Sequence, residues 1–340
     1  MRIVIDMQGA QTSSRFRGIG RYTLSFARSI AKHCGSHEII LALNGNFSET
    51  IDPIRAAFHD VLPQANIRVW YAPVPTEEKQ SQNDWRRNNA EIIREAFLAS
   101  LMPDIIHVGS FFEGYADNAA TSIRRLNNTC PVSVTLYDLI PLLNPESYLQ
   151  LNSRYAAYYQ RKIQHLQHAD LLLAISDSAK KEGTTHLKNI PRDRIINVSC
   201  AIEPFFQPLA NGVSTQPLPS RFGLTRPFVL YTGGADERKN LPRFPQAYAT
   251  LPHSLRNTHQ LLLAGKLQPE EEQQLRQQAK ALRLTSTDLL FTGYVSDSEL
   301  VQLYQQCRLF VFPSWHEGFG LPALEAMACG APVIGSKTSS

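Results

Sequence analysis

Two carboxylates, Glu317 and Glu325, stand eight positions apart in the stretch His316-Glu317-Gly318-Phe319-Gly320-Leu321-Pro322-Ala323-Leu324-Glu325. An apolar run at 309–312 precedes it. Gly318 and Gly320 allow a ligand to approach the backbone closely or the chain to take positive φ. Pro322 suits the first turn of a helix, where a missing N–H costs nothing. The order strand, glycine loop, helix start creates free amides and a positive helix end, an anion site of the kind that accepts a diphosphate. On local physics alone an ordinary strand–loop–helix turn stays equally open. A second stretch, Tyr231-Thr232-Gly233-Gly234-Ala235-Asp236-Glu237-Arg238-Lys239-Asn240, also follows an apolar run. It sets a guanidinium fork (Arg238) and an ammonium (Lys239) beside the glycine turn at Gly233, which suits the growing charge of a leaving diphosphate. A bare Arg-Lys pair on a solvated surface has the same spelling.

Other residue groups are less specific. Arg17-Gly18-Ile19-Gly20-Arg21-Tyr22 follows the first apolar run and opens a helix. It has two glycines of a dinucleotide fingerprint but Thr23 in place of the third, and Leu43-Asn44-Gly45 where a ribose-binding acid belongs, which argues against a nicotinamide dehydrogenase. A tight turn packing a helix on the sheet is the plain alternative. Asp138 ends another run, in Val134-Thr135-Leu136-Tyr137-Asp138-Leu139-Ile140-Pro141. Tyr137 beside it can hydrogen-bond a sugar hydroxyl but does not titrate near neutral pH. In Ser110-Phe111-Phe112-Glu113-Gly114-Tyr115 the rings suit a sugar face, and Glu113 can bind or deprotonate an acceptor hydroxyl; a plain loop reads as well. Lys266 ends Ala264-Gly265-Lys266 and can join a phosphate site. The segment 148–168 carries Arg154, Tyr155, Tyr158, Tyr159, Arg161 and Lys162, either a solvated face with core anchors or a contact to a lipid-linked acceptor at a membrane surface. His165 and His168 lack further ligands, and no acidic pair sits at a strand end in metal-site context, so no divalent ion is expected.

These residues need a scaffold that brings strand ends together. Apolar runs at 3–5, 39–43, 67–71, 105–108, 132–136, 171–175 and 195–198 alternate with helical patterns at 21–32, 86–101, 148–168 and 178–187. A second alternation has strands at 228–232, 260–264, 289–292, 309–312 and 332–335, with helices at 241–251, 269–282, 297–305 and 321–329. Unbroken Val/Ile/Leu runs are what strands buried on both faces look like, so the expected fold is α/β: two doubly wound Rossmann-like domains with ligands at the carboxyl ends of their strands. The boundaries are 1–205 for the first domain, 206–227 for a Pro-rich linker and 228–340 for the second. The second domain stops on a strand and a short loop, as a truncated domain or a module of a longer protein would. Of the 340 residues, 43% are hydrophobic and 19% charged, a globular balance; the net charge of +4 suits phosphate-bearing ligands but is no nucleic-acid footprint. Five unpatterned cysteines read as reduced thiols, hence the cytoplasm; no signal peptide or membrane-spanning run is seen.

The stretch 312–334 resembles the E-x7-E signature of glycosyltransferase family 4, with some twenty residues matching in order. The resemblance implies the two-domain GT-B fold with its domains facing a cleft, and a retaining transfer from a nucleotide sugar. By the same resemblance Glu317 lies near the donor sugar, Glu325 binds the nucleotide ribose, and the amides around Phe319, Gly320 and Leu321 hold the diphosphate. Arg238 and Lys239 match the family's phosphate-binding pair, and the Gly18–Gly20 loop lies near donor phosphate and acceptor. Asp138 is a cleft residue; the His that commonly precedes it is Tyr137 here. A further Arg after the first glycine, found in some relatives, is replaced by Gly234 and Ala235. The blend of RGIGRY, SFFEGY and YDLIPLL is similar to bacterial O-antigen mannosyltransferases, implying GDP-mannose as donor, a glycan or lipid-linked acceptor, peripheral membrane contact at the inner face and no cofactor. A sugar-nucleotide epimerase or a non-catalytic nucleotide-sugar-binding module shares the fold.

Overall fold

The apolar runs form two all-parallel sheets in a computed structural model that describes residues 1–126, 129–210 and 217–339. The chain divides into two compact units, Met1–Cys200 and Ala201–Ser340. Part of the expected linker, 211–216, lies outside the described residues.

In the first unit the strands are β1 (Arg2–Asp6), β2 (Glu38–Asn44), β3 (Ile67–Trp70), β4 (Ile105–Val108), β5 (Val132–Leu136), β6 (Leu171–Ala174) and β7 (Ile195–Asn197). Their spatial order is β3-β2-β1-β4-β5-β6-β7. The helices are α1 (Gly18–Lys32), α2 (Ile51–Ala57), α3 (Asp84–Ser100), α4 (Ile140–Leu143), α5 (Pro145–Tyr148), α6 (Ser153–Leu166) and α7 (Asp177–His186). The order reverses between β1 and β4, the crevice where doubly wound sheets place ligands. β5 is buried throughout, as expected of a central parallel strand.

The second unit repeats the plan with β8 (Phe228–Thr232), β9 (Gln260–Ala264), β10 (Leu289–Phe291), β11 (Leu309–Phe312) and β12 (Val333–Gly335), in the order β10-β9-β8-β11-β12. Its helices are α8 (Arg243–Ala249), α9 (His253–Thr258), α10 (Pro269–Ala281), α11 (Asp297–Gln306) and α12 (Leu321–Ala328). Here the switch lies between β8 and β11, the strands preceding the two most specific stretches. One core face joins Leu230, Leu262 and Phe310 to Leu303, Tyr304 and Ala326.

Three helical expectations change. The pattern at 148–168 is interrupted before Ser153, because the Asn152 side chain accepts from the Tyr155 amide at 3.0 Å and starts a new helix. The pattern at 241–251 ends as α8 at Ala249, and α9 begins after Pro252. The first glycine pair lies inside the first turn of α1 rather than in a loop before it.

One face of the first unit is conventional: Ile5, Ile39, Leu41 and Leu43 pack against Ala27, Ala31 and Phe58. The other is ionic. α3 buries Arg87, Glu91, Arg94 and Glu95. Arg94 and Asp6, each 1% exposed, meet at 2.6 Å through Nε and Oδ2, and Arg94 Nη1 donates to the Ser122 carbonyl at 3.0 Å. Gln8 donates to both Asp6 oxygens at 3.1 Å, so α3 is fastened to the strand that ends at the switch. Removing one partner of a buried pair leaves the other charge uncompensated. The Arg94→Met protein is expected to lose about 3–5 kcal/mol of unfolding free energy in urea titrations; a loss below about 1 kcal/mol would contradict this role for the pair.

Candidate active site

The carboxyl ends of β8 and β11 bring together residues some eighty positions apart. After β8 the chain turns at Gly233, with φ of 131°. An added Cβ there would stand 3.3 Å from the Tyr231 hydroxyl and 3.4 Å from Lys239 Nζ. Tyr231 braces the turn by donating to the Gly234 carbonyl at 2.7 Å. Asp236 caps the short 3-10 helix Glu237–Lys239 by accepting from the Arg238 amide at 3.2 Å. Asn240 closes it in the left-handed region (φ 53°) that Asn tolerates, and its Nδ2 donates to the Pro313 carbonyl at 3.1 Å. The Trp315 amide donates to the Arg238 carbonyl at 2.9 Å and its indole to the Glu237 carbonyl at 3.2 Å. The loops after β8 and β11 are therefore pinned to each other by one backbone and two side-chain hydrogen bonds to carbonyls.

Within this frame Arg238 Nη1 donates to Glu317 Oε2 and, at 2.9 Å, to the His316 carbonyl. Lys239 Nζ stands 3.5 Å from Glu317 Oε1. Glu317 is 8% exposed, so one nearly buried carboxylate is shared by two cations. Gly320, at φ 96°, is the N-cap of α12. The amides of Phe319, Gly320 and Leu321 have no hydrogen-bond partner among the described residues. Gly318 lies buried between Glu317 and this helix start. The arrangement presents two cations and a helix N-terminus to an anion, with a carboxylate held where the anion would bind. Glu325 is buried on α12, and the Tyr304 hydroxyl reaches its Oε2 at 3.2 Å and the Thr232 hydroxyl at 3.0 Å, fixing it beneath the end of β8. Lys266 follows Gly265 at an exposed position next to this turn. The supporting roles of Tyr231, Asn240, Tyr304 and Trp315 escape sequence reading; only Asn240, directly after the cations, carries a signal as a residue tolerant of the left-handed region.

The remaining candidates lie in the first unit, so the expected donor set is divided between the two units. Gly18 is exposed and Gly20 buried. A Cβ on Gly20 would lie 2.2 Å from Arg15 Cα, so this glycine admits the turn Ser13–Phe16 against α1. Its role is close packing rather than a phosphate loop. The Tyr137 hydroxyl lies 3.0 Å from the Thr23 hydroxyl, 3.0 Å from the Gly109 carbonyl and 3.2 Å from the Ile19 carbonyl. It thereby ties α1 to the strand ends. Asp138 accepts from the Ile140 amide at 3.1 Å and starts the turn into α4.

Glu113, 5% exposed, accepts from Ser110 Oγ at 2.7 Å and Thr12 Oγ1 at 2.9 Å. Its carboxyl joins the loops after β1 and β4 at the switch of the first sheet. Burial pushes its pKa from the ordinary 4.5 up to about 7, against the lowering effect of the Ser110 hydrogen bond. A carboxyl raised in the folded state contributes stability below about pH 4.5 that is lost as pH rises through about 7. The unfolding free energy of the wild type minus that of Glu113→Gln is expected to fall by about 3 kcal/mol from pH 4.5 to 8 in chemical denaturation. A pH-independent difference would contradict the burial-driven shift.

A profile described as Glycosyltransferase Family 4 matches residues 16–204, more than half of the chain, and one described as Glycosyl transferases group 1 matches 215–340. The chain is 36% identical over 342 residues to the serotype-specific mannosyltransferase WbdA of Escherichia coli, covering 100% of this chain and 40% of that protein. It is 35% identical over 185 residues to the O-antigen chain mannosyltransferase B of Escherichia coli, covering 54% of this chain and 48% of that one. It thus aligns with less than half the length of either of these curated relatives. Among solved structures, Anabaena Alr3699/HepE in complex with UDP and glucose superposes with a TM-score of 0.61 at 16% identity, covering 100% of this chain and 81% of that one. WaaG, a glycosyltransferase involved in lipopolysaccharide biosynthesis, gives 0.62 at 16% identity, with 100% and 82% covered. These likenesses give the fold, which is GT-B. The chain belongs to glycosyltransferase family 4.

Proposed function

We propose that this chain binds GDP-mannose and transfers the mannosyl group, with retention of configuration, onto a glycan or lipid-linked acceptor of a bacterial surface polysaccharide. The observation that carries the reading is the shared carboxylate of Glu317 on Arg238 and Lys239 beside the start of α12. The mannosyltransferase names of the Escherichia coli relatives support the sugar.

In this reading the donor's diphosphate takes the cations from Glu317, and the amides of Phe319, Gly320 and Leu321 bind its oxygens. Glu317, released, faces the sugar and supports the positive charge of an oxocarbenium-like transition state. The C1–O bond to the diphosphate breaks as the acceptor oxygen attacks from the same face, and the leaving phosphate oxygen takes the acceptor's proton. Arg238 and Lys239 gain strength as charge accumulates on the leaving group, where such contacts speed a reaction most. Glu325 receives the ribose hydroxyls. The two cations and the helix end meet the diphosphate charge, so the transfer proposed here uses no divalent ion. In the first unit, Gly18 in the first turn of α1 and Asp138 after β5 face the substrates, with Gly20 packing that turn against Ser13–Phe16. Membrane contact, where the acceptor is lipid-linked, is peripheral; among the described residues no helix is long and apolar enough to cross a membrane.

The test is incubation with GDP-mannose and an α-linked mannotetraose, following the product's anomeric configuration by NMR and GDP binding by calorimetry. An α-linked product is expected. Arg238→Ala should lower kcat about 10²–10³-fold, the cost of removing one charge-stabilising donor. Glu317→Gln should slow transfer yet tighten GDP about tenfold, because the competing carboxylate is gone. A β-linked product, an epimerised donor with no acceptor present, or a UDP-sugar binding where GDP-mannose does not would overturn the reading.

A further inference from the structure

The carboxyl edge of the first sheet carries a feature that the donor site does not use. Tyr71 directly follows β3 and is 65% exposed. Its ring lies on the backbone of Gly45, the residue after β2. A Cβ at Gly45 would stand 2.2 Å from Tyr71 Cε1, 2.4 Å from Cζ and 2.6 Å from Cδ1. Gly45 has an ordinary negative φ, so glycine is required here for room and not for backbone conformation. The ring covers Gly45, which is buried, and turns the rest of its surface to solvent.

The surroundings are polar and fixed. The Asn46 amide donates to Asn44 Oδ1 at 3.0 Å, and Asn46 Nδ2 donates to the Ala72 carbonyl at 3.1 Å, clamping the segments on either side of the ring. Glu49, exposed on the same loop, receives Arg15 Nη1 at 3.1 Å. The Arg15 guanidinium lies 4.6 Å from the centroid of the Phe16 ring, which is 77% exposed on the loop after β1. The segments after β1, β2 and β3 thus carry two exposed rings, Phe16 and Tyr71, and the exposed carboxylate of Glu49.

We propose that this edge is a subsite for hexose units of the acceptor glycan, with Tyr71 as its stacking platform. The negative face of an aromatic ring attracts the partially positive C–H groups on one face of a hexose. The Tyr71 hydroxyl, which has no partner among the described residues, can take a sugar hydroxyl. A ring already laid against backbone loses little freedom when a sugar covers it, which is how preorganised surfaces gain affinity. A ring pinned in this way is also poorly suited to insert into a lipid layer, and this favours a glycan over a membrane as the occupant.

The subsite rests on the proposed use of a glycan acceptor, and two measurements separate them. In transfer kinetics with GDP-mannose and α-linked mannotetraose, Tyr71→Ala is expected to raise the acceptor KM about tenfold, leaving the donor KM and GDP affinity at wild-type values. Tyr71→Phe should stay within about threefold of wild type. Gly45→Ala, which lifts the ring, should raise acceptor KM as well. In donor-free NMR titrations, mannotetraose should bind the wild type and bind Tyr71→Ala about tenfold more weakly. Normal transfer with an unchanged acceptor KM in Tyr71→Ala would overturn the subsite and leave the donor reading intact. Tyr71-dependent mannotetraose binding without turnover of GDP-mannose would uphold the subsite and overturn the donor reading. Loss of binding to anionic phospholipid vesicles in Tyr71→Ala, with mannotetraose binding unchanged, would also overturn it.

Discussion

A single carboxylate shared by two cations organises the second unit. Arg238 and Lys239 come from the loop after β8, and Glu317 comes from the loop after β11. Like-charged neighbours at positions 238 and 239 repel, and the nearly buried Glu317 would be costly to hold without them. Each loop is stable in its observed form because the other supplies the opposite charge. The Trp315 and Asn240 side chains then lock the pairing by donating to backbone carbonyls. The result is a site whose polar groups satisfy one another until a stronger anion arrives. In the proposed transfer such a site is preorganised, because the cations already stand where the leaving group's charge would develop.

The first unit solves a different problem. Its switch point is held by buried polar and ionic contacts: Asp6 on Arg94, Gln8 bridging to Ala120, and Glu113 across Ser110 and Thr12. Lys162 is fully buried against Phe111, Tyr158 and the Thr121 carbonyl, and burial lowers its pKa to about 7. Ionic contacts of this kind add little net stability compared with apolar packing, but they are directional. They set where the loops after β1 and β4 stand, and therefore where α1 begins. Tyr137 completes the arrangement by tying α1 to the ends of β4 and β5.

The parallel sheets were legible because strands covered on both faces must be apolar throughout, and runs such as 39–43 and 260–264 became β2 and β9 within a residue or two. Glu317, Arg238 and Lys239 were legible from motif and position, and their meeting at one switch point follows from the strand order. Other features depend on contacts that no local pattern encodes. α3 looks like a weak amphipathic helix because its buried face is charged. Gly20 looks like a phosphate-loop glycine and instead makes room for Arg15. Tyr137 looks available to a sugar, but its hydroxyl is taken up within the unit. The breaks before Ser153 and after Ala249 arise from one Asn cap and one Pro inside otherwise continuous helical patterns.

The central claim is that the Arg238–Lys239 pair exchanges Glu317 for a nucleotide diphosphate. A crystal structure of the protein soaked with GDP tests it most directly. The account predicts diphosphate oxygens within hydrogen-bond reach of the Arg238 guanidinium, Lys239 Nζ and the amides at 319–321, with the Glu317 carboxylate moved off both cations. GDP bound elsewhere, with Glu317 still closed on Arg238 and Lys239, would contradict it.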